Sequence, residues 1–254
     1  MKLDITRYLQ RIGLKEIEDA NYDTLLQLQL QHMLHVPFEN LNVMYNIPIP
    51  LDVENYYKKI VLEQRGGFCY ELNGLFNSLL KNLDFNTYFI SATVKRPDGT
   101  WAKPGLHASL IVELDQPYLV DVGFGDSTRM PLPLTGEIRE DVSGVYRVAK
   151  VKEKIFDLQR KESDHRWRTL FRADITPREL TDFKEACHFN QNSPESHFTQ
   201  KEIVSLATLN GRITLSGDTL ITTEEGEVQK IAVDEDDQSS ILDECFGIKL
   251  EQLL

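Results

Sequence analysis

Two adjacent glycines, followed at once by a cysteine and an amphipathic helix, constrain this chain more than any other stretch. The segment is Arg65-Gly66-Gly67-Phe68-Cys69-Tyr70-Glu71-Leu72-Asn73. Downstream, Leu72, Leu75, Phe76, Leu79, Leu80 and Leu83 fall at the spacing of one helix face. Gly66 and Gly67 suit a tight turn and let another backbone approach closely. Cys69 therefore sits in the first helical turn. There the partial positive charge and free N–H groups favour a thiolate and can stabilise a negative oxygen on a bound carbonyl. From position alone, packing at a helix start is the more frequent role, because free Cys is among the most buried residue types. A base elsewhere in the chain would separate the two.

Size and charge narrow the class. The chain has 254 residues, enough for one large domain or two to three small ones. Its 28 basic and 40 acidic residues give a formal charge of −12, which argues against nucleic acid as a main partner. No apolar run reaches membrane-span length, and Met1-Lys2-Leu3-Asp4 lacks the apolar stretch of a secretory signal. The cysteines, 69, 187 and 245, are odd in number and far apart, with no paired spacing for a disulfide framework or a metal. A reducing, cytoplasmic setting is expected.

Taken in order, residues 1 to about 85 read as a helical bundle. Asp4 caps a first helix that ends at Gly13; a second starts near Tyr22 and stops before Pro37. Leu51 to Leu62 reads as a third and the Cys69 segment as a fourth. Residues 86–189 read as a β-rich region. Strands are expected at 87–94, 107–114, 118–122, 145–151, 155–159 and 167–171, the short spacing of an antiparallel barrel or sandwich. Pro177 is expected to open a helix running to about His188. Residues 190–254 read as an α/β segment with a hairpin at Asn210-Gly211, an acidic turn at 234–237, and a closing helix capped by Ser239 or Ser240.

A nucleophilic thiol needs a base, and the base needs an orienting partner. His107 opens a strand just after Pro104-Gly105. Asp121 stands in the apolar run Tyr118-Leu119-Val120-Asp121-Val122, where a carboxylate is expensive unless paired. The turn Asp115-Gln116-Pro117 makes the two strands antiparallel neighbours, so His107 and Asp121 emerge near the same end. Each residue alone also fits a structural role, as a core histidine or as a cap for the glycine loop that follows.

Taken together, these segments resemble the arylamine N-acetyltransferase family, bacterial type. The matching stretches are Arg65 to Cys69, His107-Ala108-Ser109, Asp121-Val122-Gly123-Phe124-Gly125 and Pro37-Phe38-Glu39-Asn40-Leu41. A weaker match is Ser193-Pro194-Glu195-Ser196-His197-Phe198. The resemblance implies an α+β fold: an N-terminal helical bundle, a central antiparallel β-barrel and a C-terminal α/β lid around a cysteine-protease-like catalytic core. It implies a triad of Cys69 as nucleophile, His107 as base and Asp121 as orienter. It also implies ping-pong transfer from acetyl-CoA to an arylamine or hydrazine nitrogen, or to the oxygen of an N-hydroxyarylamine, with no metal and no resident cofactor. A histidinium beside a thiol lowers its pKa.

Around the triad, Phe124 is expected to line an acceptor pocket, with Phe38 and Phe198 as further candidates. Arg65 is expected to pair with Glu39 and hydrogen-bond Asn42, tying the cysteine turn to the second loop. Charge alone points to Arg129 and Lys103 for the phosphates of CoA. Three alternatives share these residues: a related Cys-His-Asp amide synthase, a papain- or transglutaminase-like enzyme, and a non-catalytic small-molecule binder of the same fold.

Overall fold

The computed structural model describes residues 3–17 and 19–252. The signal-sequence reading rests partly on Met1 and Lys2, outside the described residues. Helices α1 (Ile5–Arg11) and α2 (Tyr22–His35) are capped as composition demands: Asp4 accepts from the Arg7 N–H and Asn21 from the Thr24 N–H. After strand β1 (Phe38–Glu39) and the short α3 (Leu41–Met44), α4 (Val53–Tyr57) runs into a wider π turn over Lys58–Leu62. The expected third helix is therefore an α-helix for only half its length. The widened turn is where Lys59 enters the interior, only 7 % exposed.

Helix α5 (Cys69–Asn82) is the centre of the larger apolar core. Leu72, Leu75, Phe76, Leu79 and Leu80 are fully buried, each contributing roughly 1.5–3 kcal/mol relative to exposure. The periodicity understated this helix. Every residue from Cys69 to Asn77 is buried, the polar Glu71, Asn73 and Asn77 included. Gly74 makes room for the Tyr56 ring, which a Cβ there would meet at 2.8 Å.

The middle of the chain forms an eight-stranded antiparallel sheet. Its strands are β2 (Asn86–Val94), β3 (His107–Glu113), β4 (Pro117–Val120), β5 (Leu132–Pro133), β6 (Arg139–Asp141), β7 (Gly144–Lys152), β8 (Ile155–Lys161) and β9 (Trp167–Arg178). The order β5-β4-β3-β2-β9-β8-β7-β6 brings β5 back against β7, so the sheet curls into a nearly closed barrel. Alternate residues Ile90, Ala92, Tyr146, Val148, Leu158, Phe171 and Ala173 fill its inside. Pro177 does not open a helix. It lies near the end of β9, beside a register shift between Phe89 and Ser91 of β2 where a missing N–H costs little. A 3₁₀ turn (Leu180–Phe183) and then α6 (Lys184–Asn192) follow.

A second sheet orders β1 with β10 (Ile203–Thr208), β11 (Gly211–Ser216), β12 (Thr219–Glu224) and β13 (Glu227–Ala232). The expected hairpin joins β10 to β11, but its two turn residues are Leu209 and Asn210, with Gly211 paired to Thr208. Gly211 is glycine because a Cβ there would stand 1.7 Å from the Thr223 carbonyl oxygen. Helix α7 (Gln238–Phe246) covers this sheet. Asp237, not a serine, precedes it, and Gly247 ends it at φ +66°.

Candidate active site

The Cys69 turn is held by backbone pairing. Gly67 N–H donates to the Pro37 carbonyl and Glu39 N–H donates to that of Gly67. A Cβ at Gly66 would stand 2.0 Å from the Pro37 oxygen, so only glycine allows this approach. Phe68 is the N-cap of α5, its N–H taken by Glu71 Oε2 at 3.1 Å. Cys69 is the first helical residue, 2 % exposed. Among the described residues, no acceptor takes its backbone N–H.

His107 begins β3, and Asp121 directly follows β4. Leu110 pairs with Val120, which places both residues at the same sheet end. His107 Nε2 lies 2.5 Å from Asp121 Oδ2, and the Cys69 thiol is close enough to the imidazole to help raise its pKa. With Nε2 on the carboxylate, the ring turns Nδ1 to the sulfur. Burial disfavours the imidazolium, but Asp121 and Cys69 outweigh it and raise the His107 pKa to about 10. Burial likewise opposes ionisation of Asp121. His107, Asn73 and the Gly123 N–H reverse that and hold the carboxyl below its usual range.

Asn73, four residues after Cys69 on the same face of α5, was not singled out in the sequence. Its Nδ2 donates to Asp121 Oδ1 at 2.9 Å and to the Ala108 carbonyl at 2.8 Å, while its Oδ1 accepts from Val122 N–H at 3.0 Å. Gly123 N–H gives Asp121 Oδ1 a further bond at 2.8 Å. A Cβ at Gly123 would meet Cys69 Cα at 2.7 Å, so the loop after β4 lies directly on the helix start. The i, i+4 spacing of Cys69 and Asn73 is the signal that could have found Asn73.

Aromatic rings flank the thiol. Phe124 stands edge-on to His107 with centroids 5.3 Å apart and touches Phe171 at 5.2 Å. On the other side Phe198 meets Phe38 and Phe68, both at 6.0 Å. Asn40 secures that side, donating to the carbonyls of Phe198 and Lys201 and accepting from Ile203 N–H.

Beneath the turn lies a buried charge cluster. Arg65 Nη2 meets Glu39 Oε1 at 2.7 Å as expected. The expected bond from Arg65 to Asn42 is absent: Asn42 Oδ1 has no partner among the described residues. Lys59 is there instead, 3.1 Å from Glu39 and 2.9 Å from Glu71. Two carboxylates and two cations thus neutralise one another out of water. Arg129 does not reach for phosphate either. It is 4 % exposed, and its guanidinium donates to the carbonyls of Thr208 and Gly211 in the second sheet. Lys103 lies over the Phe189 ring at 4.5 Å.

A thiol, a base and a carboxylate in hydrogen-bonded series, at a helix N-terminus and between aromatic walls, form a constellation suited to acyl transfer through sulfur. The sequence profile of the N-acetyltransferase family matches residues 21–254. The arylamine N-acetyltransferase of Mycolicibacterium smegmatis is 32 % identical, over 100 % of this chain and 94 % of its own. An arylamine N-acetyltransferase from Bacillus cereus, described as having a unique Cys-His-Glu triad, superposes with a TM-score of 0.91 at 25 % identity. It covers 97 % of this chain and 99 % of that one. The Mycobacterium marinum enzyme in complex with CoA gives 0.90 at 29 % identity, covering 99 % and 95 %. The chain belongs to the arylamine N-acetyltransferase family. Where the Bacillus cereus protein is described with glutamate, this chain has Asp121.

Proposed function

We propose that this chain acetylates arylamines and hydrazines from acetyl-CoA by a ping-pong route through acetyl-Cys69, with N-hydroxyarylamine oxygen as a further acceptor. The observation that carries the reading is the His107 ring held between Asp121 and Cys69. The thiolate attacks the thioester carbonyl, and the negative oxygen faces the open Cys69 N–H. The C–S bond to CoA then breaks, CoA leaving as the thiol with the proton carried by His107. An amine attacks acetyl-Cys69, His107 takes the nitrogen's proton, and the C–S bond to Cys69 breaks to restore the thiolate–imidazolium pair. An arylamine is unprotonated at neutral pH and needs no prior activation.

Residues 1–85 supply the nucleophile in this scheme, 86–189 the base and its partner, and 190–254 close over the cleft through Phe198. Three free cysteines agree with a cytoplasmic setting, and no helix among the described residues is long and apolar enough to cross a membrane. Aromatic amines and hydrazines as acceptors would suit a role in the metabolism of foreign compounds. The test is intact-mass spectrometry after mixing with acetyl-CoA. A single acetyl on Cys69, discharged by an arylamine, is expected. Peptide cleavage without acetylation would assign a cysteine protease, and neither outcome a binder.

Cys69 is expected to be the fast thiol. Burial pushes Cys187 up to about 12, and burial beside Glu244 raises Cys245. Iodoacetamide at neutral pH should label Cys69 first, with loss of turnover in step; first labelling at Cys187 with activity kept would contradict this.

Phe124 is expected to set acceptor choice, because its ring borders His107 and has no proton to move. Phe124→Ala should reorder aromatic amines by kcat/KM and leave the acetylation rate within a few-fold. A uniform loss, acetylation included, would give Phe124 a purely structural role.

A further inference from the structure

On the reading of Cys69 as the acetylated nucleophile, we propose that Asn190 is a positioning residue for the base. It closes a hydrogen-bonded triangle with Tyr70 and Leu106 that fixes the peptide before His107 against the residue after Cys69. His107 needs such a support because of where it stands. It is the first residue of β3 and pairs with Ala92 at the last rung of the β2–β3 ladder. Backbone at the end of a ladder opens more readily than backbone inside it. Asp121 holds one ring nitrogen of His107. That bond turns the ring but leaves the distance from His107 to Cys69 to the backbone.

Tyr70 directly follows Cys69, and Leu106 directly precedes His107. Tyr70 Oη donates to the Leu106 carbonyl at 2.7 Å. Asn190, in the last turn of α6, donates from Nδ2 to both, reaching Tyr70 Oη at 3.0 Å and the Leu106 oxygen at 3.1 Å. Three groups from three parts of the chain are thus bonded pairwise. Both hydrogens of the amide and both lone pairs of the carbonyl are used. Tyr70 and Asn190 are buried, so the triangle lies away from bulk water. One bond from Tyr70 would already satisfy the Leu106 carbonyl. A second donor, set at an angle to the first, fixes its direction as well as its distance. The anchor is itself held. Ser196 Oγ donates to the Asn190 backbone carbonyl at 2.9 Å and accepts from Phe198 N–H at 3.2 Å, heading the 3₁₀ turn His197–Thr199. The segment that presents Phe198 therefore also sets the approach of the base to the nucleophile.

A misplacement of about 1 Å between reacting groups costs on the order of 10²-fold in rate. Asn190→Leu keeps the volume and removes both donors, but the bond from Tyr70 stays and limits the shift, so a loss of about tenfold is expected. The measurement is single-turnover acetylation of Cys69 in the full chain, followed by intact mass over a range of acetyl-CoA concentrations. The maximal rate should fall about tenfold while the half-saturating concentration stays unchanged, because the base moves and the donor's contacts do not. Tyr70→Phe removes the other donor to Leu106 and should give the same split. If Asn190→Leu does not fold, as judged by circular dichroism, Tyr70→Phe decides. A folded variant with its maximal rate within about twofold of the parent would leave the triangle a purely structural role and overturn the proposal. A raised half-saturating concentration at an unchanged maximal rate would overturn it too, moving Asn190 to donor binding. If the parent itself takes up no acetyl group, the acetyl-Cys69 reading fails separately. Iodoacetamide alkylation then reads the same placement, since the thiol gives its proton to His107: a rate at Cys69 about tenfold lower in folded Asn190→Leu supports the positioning role, and an equal rate overturns it.

Discussion

Asp121→Asn should slow acetylation of Cys69 by about 10²–10⁴-fold while the protein stays folded. The upper bound is the loss measured for the equivalent change in the serine-protease triad; a thiol ionises more readily than a hydroxyl, which sets the lower one. The local geometry explains why an isosteric change is so costly. Asp121 is surrounded by donors: His107 Nε2–H on Oδ2, and Asn73 Nδ2–H and Gly123 N–H on Oδ1. An asparagine has one oxygen and one NH2 for these two sides. Gly123 N–H is fixed backbone and Asn73 is tied to Ala108 and Val122, so the oxygen stays on that side. The NH2 then faces His107, whose Nε2 must become an acceptor. The proton moves to Nδ1 and points at Cys69, where an acceptor is required. Loss of the carboxylate also removes what holds the His107 pKa at about 10, leaving burial to lower it. The pH dependence of acetylation that His107 sets should therefore move to lower pH in the folded variant, as judged by circular dichroism. Normal acetylation with an unshifted profile would remove Asp121 from the proton chemistry.

The three triad residues were legible in sequence because each lies in a regular pattern. Cys69 precedes a helical repeat, His107 opens a buried, largely apolar strand, and Asp121 stands in the apolar run at the end of the next. A three-residue turn fixes which ends meet. What escaped is polar and buried. Periodicity assigns polar positions to solvent and carries no signal that Glu71, Asn73 or Lys59 is buried. Their burial depends on partners distant in sequence: Lys59 reaches Glu39, and Asn73 reaches Asp121. Charge misled in the same way at Arg129, a cation spent on two backbone carbonyls. The expected bond from Arg65 to Asn42 does not form; Lys59, brought inward by a π turn that no propensity announces, completes the cluster on Glu39 and Glu71 instead. At Pro177 a helix-start signal lost to tertiary pairing of β9 with β2.

Lys59→Met should destabilise the fold by about 3–5 kcal/mol at neutral pH, although Lys59 touches no part of the triad. The methionine fills similar volume, so packing loss is small and the charge term dominates. Lys59 is shared between Glu39 and Glu71, whose side chains are 0 % and 2 % exposed. Without it Arg65 still serves Glu39, but Glu71 keeps only the Phe68 N–H. Even with Lys59 present, burial holds the Glu71 pKa above its ordinary value, Lys59 opposing the shift and Glu39 adding to it. Removing the cation raises it further. A carboxyl whose folded pKa exceeds its unfolded value near 4.5 binds its proton more tightly in the folded state. The variant should therefore lose stability as pH rises from about 4.5 through the raised pKa, and its deficit against the parent should shrink on acidification. Urea unfolding at pH 5 and pH 8 measures both values. Because Glu71 also fixes the N–H of Phe68, the residue before Cys69, the deficit should carry a slower acetylation of Cys69 that recovers at the lower pH. A loss below 1 kcal/mol at pH 8, or a deficit that grows on acidification, would mean that Glu71 does not depend on Lys59.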